Sequence, residues 1–262
     1  MGTETDEAAV LLVVSDGIAR ITLNRPAKYN AMNMAFALDF HAAVAQIATR
    51  SDVSAIILSA NGPAFCAGGD VGAMTDVPDL QAYFAAQADA LHGGIGQLAA
   101  LPITVIAAVR GVVAGGGLGL VLTADLVVAG NDTTFTPAYP KLGFTPDCGV
   151  TYHLPRRVGM PRALEYIVGG RKLDAVDALD WGIITEVLEP DAVSARATHL
   201  AEQIRDSAPA ALGQSRALIR SSFDRGLQES LNLEAGTIVA RSSSDESRGL
   251  VEAFTAARGA HR

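Results

Sequence analysis

Residues 103–129 read "ITVIAAVRGVVAGGGLGLVLTADLVVA", and the fold turns on whether this stretch is one membrane span or several buried elements. Arg110 and Asp125 interrupt it. The uncharged run between them, 111–124, is shorter than the roughly 17–25 residues a spanning helix needs. A buried strand–loop–helix–strand unit fits better: "TVIAAV" (104–109) as a strand, "AGGGLGLVLTA" as a glycine-rich entry into a helix, "DLVVAG" as the next strand.

Working outward, the same grammar recurs. Residues 9–23 predict a hairpin, with "AVLLVV" and "IARITL" joined by Ser15-Asp16-Gly17. A polar loop, "NRPAKYNAMN", precedes a helix from Asn33, where Phe36, Phe40, Val44 and Ile47 recur at helical spacing. "SAIILS" (54–59) predicts a buried strand and "ANGPAFCAGGD" a glycine-rich loop. Residues 79–100 predict a helix despite Gly93, Gly94 and Gly96, and helices dominate after Pro161, with three expected from about 190. Strands interleaved with helices and then helices alone indicate one α/β domain with a helical C-terminal extension.

Composition narrows the function classes. The chain has 262 residues, 49% hydrophobic, with a formal net charge of −8. A large core is available, and disorder is excluded as the general state. There is no Lys/Arg-rich run, so nucleic acid is a poor partner. An anionic ligand would need local cations. Cys66 and Cys148, the two cysteines, make neither a disulfide framework nor a metal-ligand cluster, and a reducing cytoplasm suits them. The opening "MGTETDEAAV" lacks the basic-then-apolar order of a secretory leader. Neither a membrane nor a metal is expected.

The chemistry is expected where "AFCAGGD" and "VVAGGGLG" meet. Each follows a buried strand, and open α/β sheets bind ligands at strand carboxyl ends. Glycines let backbone approach a ligand, and a helix start adds free N–H groups. Two such N–H groups aimed at one point form an oxyanion hole; close helix packing explains the glycines equally well. "GGGLG" has the wrong spacing for a dinucleotide fingerprint, and no P-loop motif occurs.

Six segments in order across most of the chain resemble the enoyl-CoA hydratase/isomerase (crotonase) family. They are "ITLNRPAKYNAMN", "IILSANGPAFCAGGD", "VIAAVRGVVAGGGLGLVLTADLVVAG", "TFTPAYPKLGFTPDCG", "DALDWGII" and "SSDESRGLVEAFTAAR". The resemblance implies an α/β fold of stacked β-β-α superhelical turns over 1–195 carrying a coenzyme A site. It implies a helical trimerisation region over 196–262. A homotrimer or dimer of trimers, an acyl-CoA thioester as substrate and no cofactor beyond the substrate's own coenzyme A are expected. Carried over by position, Gly69 and Gly116 would supply the oxyanion N–H groups. Arg25, Lys28, Ala67, Gly68, Asp70, Phe254 and Arg258 would contact coenzyme A. For Arg25, Lys28 and Arg258 solvated surface charge is the competing reading.

The departures from the family matter as much. Hydratases of the family use two glutamates, one three residues after the middle glycine and one about twenty further on; here Gly119 and Tyr139 stand there. Two-glutamate water addition is therefore not expected. Asp147, in "AYPKLGFTPDCG" (138–149), is an ordinary turn residue taken alone. Yet some double-bond isomerases of the family carry an aspartate at this place, and the segment is most similar to isomerases of phenylacetate catabolism. Asp147 would then shuttle a proton beside the thioester carbonyl. An alternative follows from His92, which stands where aryl-CoA dehalogenases of the family carry a general base, with Tyr139 in place of a donor tryptophan. Asp147 would then attack as a nucleophile and His92 would activate water; a polar helix face explains His92 equally well. A non-catalytic acyl-CoA-binding protein is a further alternative. Cys66 and Cys148 are expected as small apolar packing. His41, His153, His199 and His261 match no site pattern.

Overall fold

The computed structural model describes residues 8–259. Residues 1–7 of the acidic N-terminal stretch, and His261, lie outside the described residues. Strands β1 (Val10–Ser15) and β2 (Ile18–Leu23) form the expected antiparallel hairpin. Helix α1 (Met34–Ala48) begins at Asn33, whose side-chain oxygen accepts the Phe36 N–H at 2.9 Å, an N-cap.

A repeating unit follows. β3 (Ala55–Ala60) leads to β4 (Ala64–Cys66), α2 (Val71–Thr75) and α3 (Leu80–Ala100). β5 (Thr104–Val109) leads to β6 (Val112–Ala114) and α4 (Gly116–Thr123). β7 (Leu126–Gly130) leads to β8 (Thr134–Thr136). The first strand of each unit enters a six-stranded sheet, β1-β2-β3-β5-β7 completed by β10 (Glu186–Leu188); the second enters a four-stranded sheet, β4-β6-β8 completed by β9 (Leu173–Asp174). Units stack in parallel, β3 on β5 on β7 and β4 on β6 on β8. This is the expected stacked β-β-α superhelix.

Burial explains why the strands are apolar throughout. Ile56, Leu58, Val105, Ala107, Val109, Val127 and Ala129 face the main core. Their alternates Ala55, Ile57, Ile106, Ala108 and Val128 face Val193, Ala197 and Ala201 of α8 (Val193–Arg205). The period of two puts successive side chains on opposite faces, and both faces are covered, as parallel sheets require. The 195/196 boundary expected between core and extension falls inside α8, which lies on the six-stranded sheet.

Two sequence expectations need correction. The segment from 190 holds four helices rather than three: α8, α9 (Pro209–Arg220), α10 (Leu227–Ser242) and α11 (Asp245–Gly259). Pro209 opens α9. Helices dominate after Pro161 as expected, with α5 (Val150–Val158) just before it, followed by α6 (Met160–Ile167) and α7 (Ala175–Asp180). The strands of the second sheet are not expected as strands: β4 lies in a segment that reads as a loop and β9 in the helix-dominated part. Their lengths of two or three residues leave no periodicity to detect.

Helix α4 is the centre of the molecule, with all eight residues buried. Gly115 precedes it at φ +50, a conformation side chains disfavour. At its other end, Arg220 donates to the Thr123 carbonyl and Arg157 to that of Ala124. Cations at a helix C-terminus complement its dipole. Asp125 holds Arg216 at 2.6 Å and Arg220 at 2.8 Å, tying α9 to the end of α4.

Candidate active site

The free N-terminus of α4 opens into a cavity of about 470 Å³, within the usual range for small-molecule sites. Gly68, Gly69, Gly115 and Gly116 line it, with Met32, Met74, Phe84, Leu91, Tyr139 and Phe144 as largely apolar walls. Among the described residues Asp147 is its one lining carboxylate.

Gly116 is the first residue of α4, where a helix leaves its N–H unpaired. Gly69 is held differently. Met32 N–H donates to the Gly68 carbonyl at 2.7 Å, and Asp70 N–H donates to the Met32 carbonyl at 2.9 Å. These bonds make a parallel bridge between Met32 and Gly69. In such a bridge the central residue's own N–H faces away from the partner strand. Among the described residues neither the Gly69 nor the Gly116 N–H donates within the chain. The two glycine turns expected to meet do meet: a Cβ placed on Gly68 would lie 3.1 Å from the Ala114 carbonyl oxygen.

Asp147 follows the single-turn helix Tyr139–Leu142 and precedes α5. The Tyr139 hydroxyl donates to Asp147 Oδ1 at 2.7 Å. A Cβ at Gly116 would lie 3.5 Å from that same oxygen, so carboxylate and helix start adjoin. His92 Nε2 is 3.7 Å from Asp147 Oδ2, and it accepts the Cys148 N–H at 3.2 Å. That bond assigns the lone pair to Nε2 and the proton to Nδ1. Tyr139, His92 and Asp147 are thus brought together.

Burial, then the charge of Asp147, pushes the Tyr139 hydroxyl well above its ordinary pKa. It remains a phenol and a donor. Burial first, and then Asp147, push the Cys148 thiol well up. Burial pushes the Cys66 thiol up to about 12, and Cys66 Sγ donates to the Asn30 carbonyl at 3.2 Å. Both cysteines are buried and free. His92, Asp147 and Cys148 offer three ligand atoms within 4.8 Å of one another. A thiol held protonated and a ring nitrogen already accepting a hydrogen bond suit a cation poorly, since ligands must be deprotonated and free.

Gly119 explains the missing glutamate in physical terms. A Cβ there would sit 2.2 Å from the Cys148 carbonyl oxygen and 2.6 Å from its Cβ. The chain that carries Asp147 occupies the volume any side chain at 119 would need.

The residues expected at coenzyme A divide. Ala67 and Gly68 line the cavity. Lys28 is exposed, and its charge is felt by Asp70. Arg25 and Asp70 pair with each other at 2.9 Å, with side chains only 14% and 12% exposed. Arg25 also donates to the Ala31 carbonyl. Burial raises the Asp70 carboxyl, but hydrogen bonds from Arg25 and Ala73 and the charges of Arg25 and Lys28 outweigh it and hold its pKa below the usual range. Phe254 and Arg258 do not reach the cavity within one chain. They lie on α11, exposed, with Arg258 over the Phe254 ring. Sequence reading missed Gln87, a buried cavity-lining amide that donates to the Met32 carbonyl at 3.1 Å. It also missed Asn30, fully buried, which donates to the Asn61 and Ala64 carbonyls. The signal for Gln87 was polarity within an alanine-rich helix; Asn30, inside a polar loop, carried none.

Comparison with known proteins identifies the family. Residues 14–261 match the family model described as enoyl-CoA hydratase/isomerase. The chain is 33% identical over 254 residues to 1,2-epoxyphenylacetyl-CoA isomerase of Escherichia coli, covering 95% of this chain and 96% of that one. It is 32% identical to 4-chlorobenzoyl coenzyme A dehalogenase-2 of an Arthrobacter species, over 83% of this chain and 78% of the relative. The crystal structure of enoyl-CoA hydratase from Mycobacterium smegmatis superposes with a TM-score of 0.88 at 27% identity, covering 95% and 96% of the two chains. No helix among the described residues is long and apolar enough to cross a membrane. With its stacked β-β-α turns and two converging glycine turns, the chain belongs to the enoyl-CoA hydratase/isomerase family.

Proposed function

We propose that the protein is an acyl-CoA isomerase that moves a double bond, or rearranges a ring epoxide, beside a thioester carbonyl. The observation that carries this reading is the isolation of Asp147. It is the one carboxylate lining the cavity among the described residues, and it adjoins Gly116. The Gly69 and Gly116 N–H groups donate to the thioester oxygen as it gains charge in the forming enolate. Asp147 takes the proton from the carbon next to the carbonyl and returns it two carbons along. The Tyr139 phenol donates to Oδ1 and keeps the carboxylate oriented, leaving Oδ2 for the substrate. These steps use protein groups alone, with coenzyme A entering only as part of the substrate. Hydration is disfavoured, because no second carboxylate lines the cavity among the described residues.

One observation favours a second reading. His92 Nε2, 3.7 Å from Asp147 Oδ2, would suit an Asp147 nucleophile attacking an electron-poor aryl-CoA ring, with His92 then activating the water. Against it, the His92 lone pair already accepts the Cys148 N–H. The two separate in assay: 3-enoyl-CoA conjugation that persists in His92→Gln and is lost in Asp147→Asn supports the isomerase. Product from aryl-CoA that needs both residues supports substitution.

The same reading includes an intracellular homotrimer or dimer of trimers, with phenylacetate or fatty-acid catabolism as its setting. Ile238, Val239, Val251 and Phe254 on α10 and α11 are 62–70% exposed, an apolar surface that suits self-association. A monomeric mass in sedimentation would refute that part.

A further inference from the structure

Arg25, Asp70 and Gln87 surround one short piece of backbone. Ala67 N–H donates to the Tyr29 carbonyl at 3.0 Å, Met32 N–H to Gly68, and Asp70 N–H to Met32, so chain 29–32 is laced to chain 67–70. Neither segment belongs to a regular element of the sheets, apart from the lone Met32–Gly69 bridge. Three side chains close the lacing. The Arg25 guanidinium joins the Ala31 carbonyl on one strand of the lace to the Asp70 carboxylate on the other. Asp70 also caps α2 by accepting the Ala73 N–H at 3.2 Å. Gln87, 6% exposed on α3, donates to the Met32 carbonyl at 3.1 Å. That carbonyl already accepts the Asp70 N–H. Gly69 lies between the two laced bonds, so its N–H direction depends on all three side chains.

We propose that Arg25, Asp70 and Gln87 are positioning residues that aim the Gly69 N–H at the thioester oxygen, and that Arg25 and Asp70 do not hold coenzyme A. The inference rests on the reading of Gly69 as a carbonyl donor. The Arg25 fork is suited to this bridging task, since a lysine offers a point charge and not two parallel arms. The brace is polar and largely shielded from water, where hydrogen bonds to charged groups are strong.

The test uses a saturated acyl-CoA labelled with carbon-13 at the thioester carbonyl, which binds without reacting. Isotope-edited infrared spectra report how far bound carbonyl stretching falls below its value in water, and titration gives the Kd of coenzyme A itself. In Gln87→Met and Asp70→Asn the downshift should shrink and kcat should fall about 10- to 100-fold, less than the 10²–10³ of deleting a donor outright. The Kd of coenzyme A should stay within about twofold. Arg25→Lys should lose the same downshift despite keeping its charge. Should Asp70→Asn fail to fold, Gln87→Met alone decides. An unchanged downshift in Gln87→Met overturns the brace. So does about a tenfold rise in the Kd of coenzyme A with the downshift intact, since that would make Arg25 and Asp70 ligand contacts. The infrared band needs no turnover, so a native protein that polarises the carbonyl but isomerises nothing refutes the isomerase and leaves the brace standing. A native protein that shows no downshift refutes the brace.

Discussion

The two glycine turns deliver a backbone N–H to the same cavity by opposite means. Gly116 begins a helix whose every residue is buried and whose far end is held by arginines. Gly69 lies in irregular chain held by an ion pair and an amide. The first donor is aimed by packing, and the second by polar contacts. The difference teaches that equivalent groups in one site need not share a failure mode. Substitutions in α4, or at the ion pair that ties α9 to its end, should strike the Gly116 side through stability, and those in the polar brace should strike the Gly69 side through rate.

The largest effect is expected at the packed side. Asp125→Asn would leave Arg216, with a side chain only 6% exposed, and Arg220 without their carboxylate. Breaking such a pair costs about 3–5 kcal/mol, which urea unfolding would register. A loss below about 1 kcal/mol, the scale of an exposed pair, would show that α9 does not anchor α4. Next is Gly119→Ala. Its Cβ would meet the Cys148 carbonyl oxygen at 2.2 Å, so the expected cost is about 1–3 kcal/mol of stability. Because the displaced chain carries Asp147, kcat should fall alongside. A stable variant with native kcat would mean that the Asp147 segment is not held by α4.

A smaller effect tests the carboxylate without touching either turn. Tyr139→Phe removes the hydroxyl that donates to Asp147 at 2.7 Å. A hydrogen bond to a charged group is worth about 1.5–3 kcal/mol, so kcat should fall about 10- to 100-fold with KM little changed. A KM effect alone would make Tyr139 a wall of the pocket. The smallest effect is a pH dependence of stability. Burial first, then Arg220, Arg157 and Arg156, lower the His153 pKa to about 4 from the usual 6.5. Between those values the unfolded chain binds a proton that the folded chain refuses. The contribution is therefore full above pH about 6.5 and declines as pH falls toward about 4. Thermal melts of His153→Gln should lose that part of the slope, and a slope identical to the native one would place the acid sensitivity elsewhere.

What could be read in the sequence follows the range of the forces involved. The apolar runs of β3, β5 and β7 announce themselves, because burial on both faces leaves no polar alternation. The glycine turns are legible because few other residues allow that backbone, and the Asp147 segment because its prolines and glycines leave room for no more than the single helical turn Tyr139–Leu142. The second sheet was invisible, since strands of two or three residues carry no period. The contacts of Arg25 with Asp70, Gln87 with Met32 and Arg216 with Asp125 join positions far apart in the chain. No local pattern encodes such pairs. For the same reason the resemblance offers Arg25 and Asp70 as ligand contacts, while their mutual pairing shows only once the fold brings them together.

The most direct measurement is a spectrophotometric assay of purified protein with 3-enoyl-CoA and 2-enoyl-CoA, beside Asp147→Asn. The account predicts conjugation of the 3-enoyl thioester, no hydration of the 2-enoyl thioester, and a loss of about 10²–10⁴ in the variant. Undiminished turnover of 3-enoyl-CoA without the Asp147 carboxylate would contradict it.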